Sequence, residues 1–161
     1  MSNEKFCALS DELRALAGTP KSDGPYATVN LDIDGVSFSL MHNGSADDDS
    51  IVMFCDFGRP PKERHAEVVK ALLVANVAAF SSAGRESFCM NHASGHVLAS
   101  SVLPMRNVTG RLLLEILQHY AAQAKKWRDV YFFCVDSAMP VPAPTTGTRK
   151  MPATAKTLLD G

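Results

Sequence analysis

The sequence lacks the features that mark membrane-spanning, disulfide-linked and nucleotide-binding proteins. No uninterrupted apolar run approaches the roughly 18 residues that a membrane helix requires, and the N-terminal stretch MSNEKFCALSDEL is polar and unlike a secretion signal. The four cysteines are scattered without a CxxC pair, so we expect reduced thiols rather than a disulfide framework. No glycine-rich phosphate loop precedes a helix. We therefore expect a cytoplasmic protein that binds no cofactor.

The chain also lacks an excess of charge of either sign. It carries 16 Lys+Arg and 17 Asp+Glu, a formal net charge of −1, and no basic stripe. Such a balance argues against nucleic acid as a partner. About half of the residues are hydrophobic (46%), which is enough for one globular domain. We predict this domain over residues 1–136, followed by a flexible tail rich in proline and threonine over residues 137–161.

The spacing of the apolar residues predicts an α+β sandwich. Near the N-terminus they recur at helical spacing, whereas on either side of Asp34-Gly35 they alternate with polar residues, as in a β-hairpin. Taken in order, the segments are a helix (3–17), three antiparallel strands (26–33, 36–40 and 51–57), a helix (63–82), a two-stranded hairpin (86–92 and 96–103) and a helix (107–128). A loop is predicted over residues 43–50, and an additional edge strand over residues 130–135. Antiparallel hairpins separated by helices are typical of α+β folds.

The second predicted helix is apolar on every side between residues 71 and 80, ALLVANVAAF. A surface helix of a small domain needs only one apolar stripe, so this helix must be covered on more than one side. We predict that a second copy of the chain covers it; the alternative is a central helix buried within one protomer. The predicted dimer interface consists of Leu72, Leu73, Asn76, Val77 and Phe80.

Asn76 is the only polar residue in this apolar stretch. Near a two-fold axis, its amide could pair with its symmetry mate and fix the register of the two helices. It could equally cap a local carbonyl group or reach water.

Residues of the predicted hairpin could suggest a metal site or an enzyme. Cys89, His92 and His96 are residue types that ligate zinc, and Cys89 with a histidine could form a nucleophile and base. However, the three lie across a tight hairpin on alternating faces, and no fourth ligand or orienting group is evident. We therefore predict no catalytic residue and no metal, with a small Cys/His enzyme as the remaining alternative.

The order and composition of these segments resemble a known family. The apolar helix ALLVANVAAF, the hairpin ESFCMNHASGHVLASSVLPM and the helix GRLLLEILQHYAAQAKKW are similar to their counterparts in the class I chaperones of bacterial type III secretion, the Tir-chaperone family. The resemblance covers roughly residues 3–129. It implies a cytoplasmic homodimer without enzymatic activity that holds the N-terminal segment of a secreted effector in extended form.

The resemblance also implies where an effector would bind. An extended segment can add as a strand to an exposed sheet edge and place alternate side chains in apolar pockets. The expected effector-binding residues lie on the first helix and the first three strands, and are Phe6, Leu9, Leu13, Val29, Leu31, Val36, Phe38 and Met53. The alternative is an adaptor that binds a regulator of the secretion system on the same scaffold.

Overall fold

The computed structural model describes residues 2–20, 28–44, 49–81 and 86–131. Within these ranges the chain forms three α-helices and a five-stranded antiparallel sheet, in the order predicted from the sequence. None of the described helices combines the length and the apolar character needed to cross a membrane. The elements are α1 (Ser2–Leu16), β1 (Thr28–Ile33), β2 (Val36–Gly44), β3 (Asp49–Gly58), α2 (His65–Ser81), β4 (Glu86–Met90), β5 (Val97–Pro104) and α3 (Gly110–Val130), with 3-10 turns at Lys62–Arg64 and Met105–Asn107.

Two strand predictions need correction. Part of the predicted loop 43–50 is strand, because β2 and β3 continue to pair as far as Gly44 and Asp49. The polar side chains there are satisfied across the ladder: His42 Nε2 lies 2.7 Å from Asp49 Oδ1. Val130, predicted to begin an edge strand, is instead the last residue of α3. Residues 45–48, 132–135 and the predicted tail 137–161 lie outside the described residues.

The sheet has the strand order β1-β2-β3-β5-β4, and one of its faces is covered by α1 and α3. The strands alternate between buried and more exposed residues, as a sheet covered on one side requires. The largest buried side chains of this core are Phe6, Leu13, Phe38, Leu40, Ile51, Met53, Phe57, Met105, Leu113, Leu117, Tyr120 and Trp127.

Hydrogen bonds at both ends of α3 attach it to the rest of the fold. At its start the Thr109 hydroxyl accepts from the Leu112 amide at 3.2 Å, and Glu12 of α1 accepts from the Gly110 amide at 3.1 Å. At its end the Arg128 guanidinium donates to the carbonyl oxygens of Asp56 and Phe57 at 2.9 and 3.1 Å. These bonds hold α3 across one face of the sheet.

A half-buried carboxyl group lies where β4 meets α3. Glu86 is hydrogen-bonded to the Tyr120 hydroxyl, while its Oε1 atom is buried without a partner among the described residues. Burial raises the pKa of Glu86 above its ordinary value of 4.5, and the Tyr120 hydrogen bond and the nearby His119 oppose this only in part. The folded state therefore favours the protonated carboxyl group.

Glu86→Gln is expected to stabilise the protein at neutral and alkaline pH. Because the pKa of Glu86 is raised in the folded state, its contribution to the free energy of unfolding is fully present below pH 4.5. This contribution is lost as the pH rises through the pKa of the folded state. Glutamine cannot ionise, so the urea midpoint of the variant should exceed that of the wild type at pH 8, with the gap closing towards pH 4. Glu67→Gln is the control. Glu67 is exposed and its pKa is lowered by a hydrogen bond from Arg64, so its replacement should not stabilise at pH 8.

Candidate protein-binding surfaces

The eight side chains that the sequence assigns to effector binding all lie in the core of the protomer. Each is at most 6% exposed, because α1 packs its apolar face on the sheet and α3 instead of leaving it open. They are Phe6, Leu9, Leu13, Val29, Leu31, Val36, Phe38 and Met53. In this structure they support the sheet, and a bound segment would have to contact other side chains of the same strands.

The sheet face opposite α1 and α3 carries no covering element within the described residues. Its centre is apolar: Val52 and Phe54 of β3 are half-buried, and Met41 of β2 is 42% exposed. The register places Met41 beside Val52 and Val52 beside Val102. We call this surface the open face, which consists of Thr28, Asn30, Asp32, Ser37, Ser39, Met41, Val52, Phe54, Asp56, Ser87, Cys89, Leu98, Ser100 and Val102.

Val52 and Phe54 lie on the opposite side of β3 from Met53, and the sequence analysis assigned no function to them. The signal was available, because in a strand with one solvated face the outward positions are normally polar. Large apolar residues at outward positions of β3 therefore mark a surface of interest. The structure adds that Phe54 lines a depression of about 380 Å³, together with Ser37, Ser39 and Leu98 among others.

Within the described residues, no strand pairs with the outer edge of β1. Asp34 and Gly35 have positive φ angles of 53° and 78°, as in a type I′ turn, whose flanking residues Ile33 and Val36 form a hydrogen-bonded pair. Alternation along an antiparallel ladder then directs the backbone N–H and C=O groups of Thr28, Asn30 and Asp32 away from β2. No residue in the described ranges bonds to these outward backbone groups. The edge can accept another strand.

The edge strand at the other side of the sheet, β4, contacts α2. Asn76 of α2 donates from Nδ2 to the Phe88 carbonyl oxygen at 2.9 Å and accepts at Oδ1 from the Phe88 amide at 2.6 Å. Of the two alternatives left open by the sequence, the structure has the local one, in which the amide bonds to the backbone of its own protomer.

The side of α2 that faces away from β4 is apolar and exposed. Leu73, Val74 and Val77 are 62%, 64% and 67% exposed. Of the predicted interface residues, Leu73 and Val77 lie on this side, whereas Leu72 is buried in the core and Asn76 faces β4; the side chain of Phe80 lies outside the described residues. The described part of the chain thus does not enclose α2. We call Leu73, Val74 and Val77 the α2 patch.

The cysteine and histidines of the predicted hairpin do not converge on a common site. His96 Nδ1 lies 2.9 Å from the Asp56 carboxylate, which also accepts from the Gly58 amide at 2.7 Å. Cys89 is exposed on β4, and partial burial raises its pKa, which disfavours the nucleophilic thiolate. Among the described residues, no three His, Cys, Asp or Glu side chains are placed to hold a metal ion. The contact between Asp56 and His96 joins β3 to the turn between β4 and β5.

Comparison with known protein families identifies a match over most of the folded region. Residues 27–128 match the sequence model of the Tir chaperone protein (CesT) family. This range begins at β1 and ends near the C-terminus of α3, so it contains the whole sheet, α2 and nearly all of α3. In a search of curated proteins, no sequence matches the chain.

Solved structures share the fold at low sequence identity. The ExsC–ExsE complex contains a chain that is 15% identical, with a TM-score of 0.65, and the alignment covers 80% of this chain and 95% of that one. A chain in the HopA1–SchA chaperone–effector complex is 18% identical, with a TM-score of 0.59, and the alignment covers 80% of this chain and 97% of that one. The structure of the Yersinia pestis type III secretion chaperone SycH in complex with a stable fragment of YscM2 contains a chain that is 15% identical, with a TM-score of 0.52. That alignment covers 75% of this chain and 98% of the other. At these identities the matches establish a common fold.

Proposed function

This chain belongs to the Tir chaperone protein (CesT) family, and we propose that it is a cytosolic, homodimeric type III secretion chaperone without enzymatic activity. It binds the N-terminal segment of an effector in extended form and keeps that segment competent for secretion. The observation that carries this proposal is an open strand edge, β1, beside an open face with an apolar centre. Two of the solved structures with this fold are described as a chaperone in complex with another protein.

The β1 edge supplies the backbone interactions. The outward N–H and C=O groups of Thr28, Asn30 and Asp32 form a row into which an extended segment can bond as a sixth strand. Backbone pairing depends little on the sequence of the added strand, so it suits a segment that must remain unfolded. Affinity then arises from several hydrogen bonds, each worth about 1 kcal/mol net.

The open face supplies side-chain contacts. Met41 lies beside Thr28 of the edge strand, and Val52 and Phe54 lie on the strand beyond. An effector segment that continues from the β1 edge across the sheet can bury apolar side chains against these residues, with each Å² of buried apolar surface contributing about 25 cal/mol. The surrounding serine, asparagine and aspartate side chains provide a polar rim, as at other protein interfaces.

The α2 patch supplies the dimer contact. Leu73, Val74 and Val77 are neighbours at helical spacing, and burying each against a partner would contribute about 1.5–3 kcal/mol. A second copy presents the same patch, so a two-fold arrangement buries both patches at once. Because α2 lies beyond the β4 edge, this contact leaves the β1 edge at the opposite side of the sheet accessible.

Co-expression with a secreted protein encoded beside the chain's gene tests the proposed function. The chain should co-purify with the partner's N-terminal segment, and hydrogen exchange should show that the bound segment lacks a fold of its own while the amides of Asn30 and Asp32 become protected. A partner that binds as a folded domain, or that leaves the β1 amides unprotected, would contradict the proposal. If the partner that co-purifies is a regulator of secretion, the adaptor alternative applies instead.

Phe54→Ser is expected to weaken effector binding while leaving the protomer folded. Phe54 projects from the centre of the open face and is only half-buried, so its loss removes contact area for the effector without opening the core on the other face. We expect an affinity loss of about tenfold in isothermal titration. Ala122→Ser, an exposed change on α3 and away from the open face, is the control. Equal affinities for wild type and Phe54→Ser would place the effector elsewhere.

A further inference from the structure

The Asn76 side chain occupies the outer edge of β4 in the way that a neighbouring strand would. Its amide donates to the carbonyl oxygen and accepts from the N–H group of one residue, Phe88, at 2.9 and 2.6 Å. Two residues that exchange both hydrogen bonds form the repeating unit of an antiparallel ladder. Here one side of that unit is a side-chain amide, which has the same donor and acceptor as a peptide group.

The phase of the hairpin shows that Phe88 is the central outward position of β4. The Asn91 amide donates to the His96 carbonyl oxygen at 2.8 Å, so the backbone N–H group of Asn91 points towards β5, as in a hydrogen-bonded pair. Because such pairs alternate, Cys89 and Ser87 bond to β5, and the backbone of Phe88 points outward. In a strand of five residues, an added strand would need this position for its backbone pairing.

The packing of α2 holds the amide at this position. Val68 and Leu72, at i−8 and i−4 relative to Asn76, are buried in the core and place this side of the helix against the sheet. Aspartate has the same shape but cannot donate to the Phe88 carbonyl oxygen, and leucine can do neither. An asparagine here thus meets both backbone groups from within the protomer.

We propose that Asn76 is a specificity-determining residue that closes the β4 edge to extended polypeptide segments and so confines strand addition to β1. The two edges of the sheet differ in chemistry, since the outward backbone groups of Thr28, Asn30 and Asp32 have no bonding partner among the described residues. With β4 closed, each protomer offers one edge to an added strand. The role assigned to β1 rests on the proposed function, whereas the closure of β4 stands on the Asn76 geometry.

Amide hydrogen exchange of Phe88, measured by NMR, tests the closure directly. Asn76→Leu should accelerate exchange at Phe88 by about tenfold, with little change at Cys89, whose amide bonds to β5. Asn76→Ala, which removes both the acceptor for the Phe88 amide and the donor, is a second variant in case leucine disturbs α2. Ser87→Ala is the matched control, because it removes a hydroxyl bond to Ser100 in the same strand without touching Asn76. Unchanged exchange at Phe88 in both Asn76 variants would overturn the proposal.

Sedimentation velocity tests whether the uncovered edge accepts a strand. Asn30→Pro removes the central outward N–H group of β1 and so blocks association through the β1 edge. This variant should keep the assembly size of the wild type at all concentrations. Adding Asn76→Leu should produce larger species that grow with concentration, because uncovered β4 edges can pair with each other. Faster exchange without such association would reduce Asn76 to a stabiliser of the hairpin and overturn the proposal. Neither readout uses an effector, so failure to bind one would contradict only the proposed function.

Discussion

Leu73→Asp should convert the proposed homodimer into a monomer. Leu73 is 62% exposed in the protomer and lies in the α2 patch, one helical turn before Val77. In a two-fold contact its replacement loses the burial of a leucine and forces a carboxylate out of water without a compensating partner. We expect the dissociation constant of the dimer to rise by at least about 100-fold. Light scattering after size exclusion should then give 17.4 kDa instead of twice that mass.

The matching control for this experiment is Ala122→Asp. Ala122 is exposed on α3, so its replacement by aspartate adds the same charge to a helix surface away from the α2 patch. This variant should remain dimeric, and both variants should keep the circular dichroism of the wild type, because neither position belongs to the core. A wild-type chain that is monomeric at micromolar concentration, or a Leu73→Asp variant that stays dimeric, would contradict the proposed interface.

Asn30→Pro should abolish strand addition at β1 while leaving the protomer folded. The Asn30 amide points away from β2, so proline removes a donor that the hairpin itself does not use, and proline is tolerated on edge strands in this orientation. An added strand loses one backbone hydrogen bond and meets the pyrrolidine ring. We expect the affinity for the effector segment to fall by at least about tenfold, as measured by isothermal titration.

Asn30→Ala separates the backbone effect from the side-chain effect. Both variants lose the hydrogen bond from the Ser39 hydroxyl to the Asn30 side chain, which is 2.7 Å long, but only proline removes the amide. Asn30→Ala should therefore bind the effector almost as tightly as the wild type. Equal losses in the two variants would mean that side chains on β1, and not its backbone edge, carry the interaction.

The sequence was sufficient for the type and order of the elements. Helical spacing around Phe6 and Leu13 and alternation around Asp34-Gly35 are local patterns, and the structure has a helix and a hairpin at these places. Strand ends were less predictable. Polar residues such as His42 and Asp49 are typical of loops, yet they pair across the ladder because each satisfies the other.

The candidate site could be predicted only in part. Alternation along a strand separates its two faces and places Met53, Cys55 and Phe57 together on one side of β3, which the structure shows to be the buried side. It could not establish that α1 and α3 cover that face completely, so buried side chains were assigned to effector binding. Nor could it give the strand order, which makes β1 and β4 the edges of the described sheet.

The sequence by itself determined the family, the order of helices and strands, and the apolar character of the second helix. These properties depend on residue spacing along the chain, which is local information. Only the tertiary structure decided that Asn76 bonds to Phe88, that Leu73 faces outward and that no other described segment pairs with the β1 edge. Each of these depends on which distant segments meet, and burial and hydrogen bonding between segments are set by packing in three dimensions.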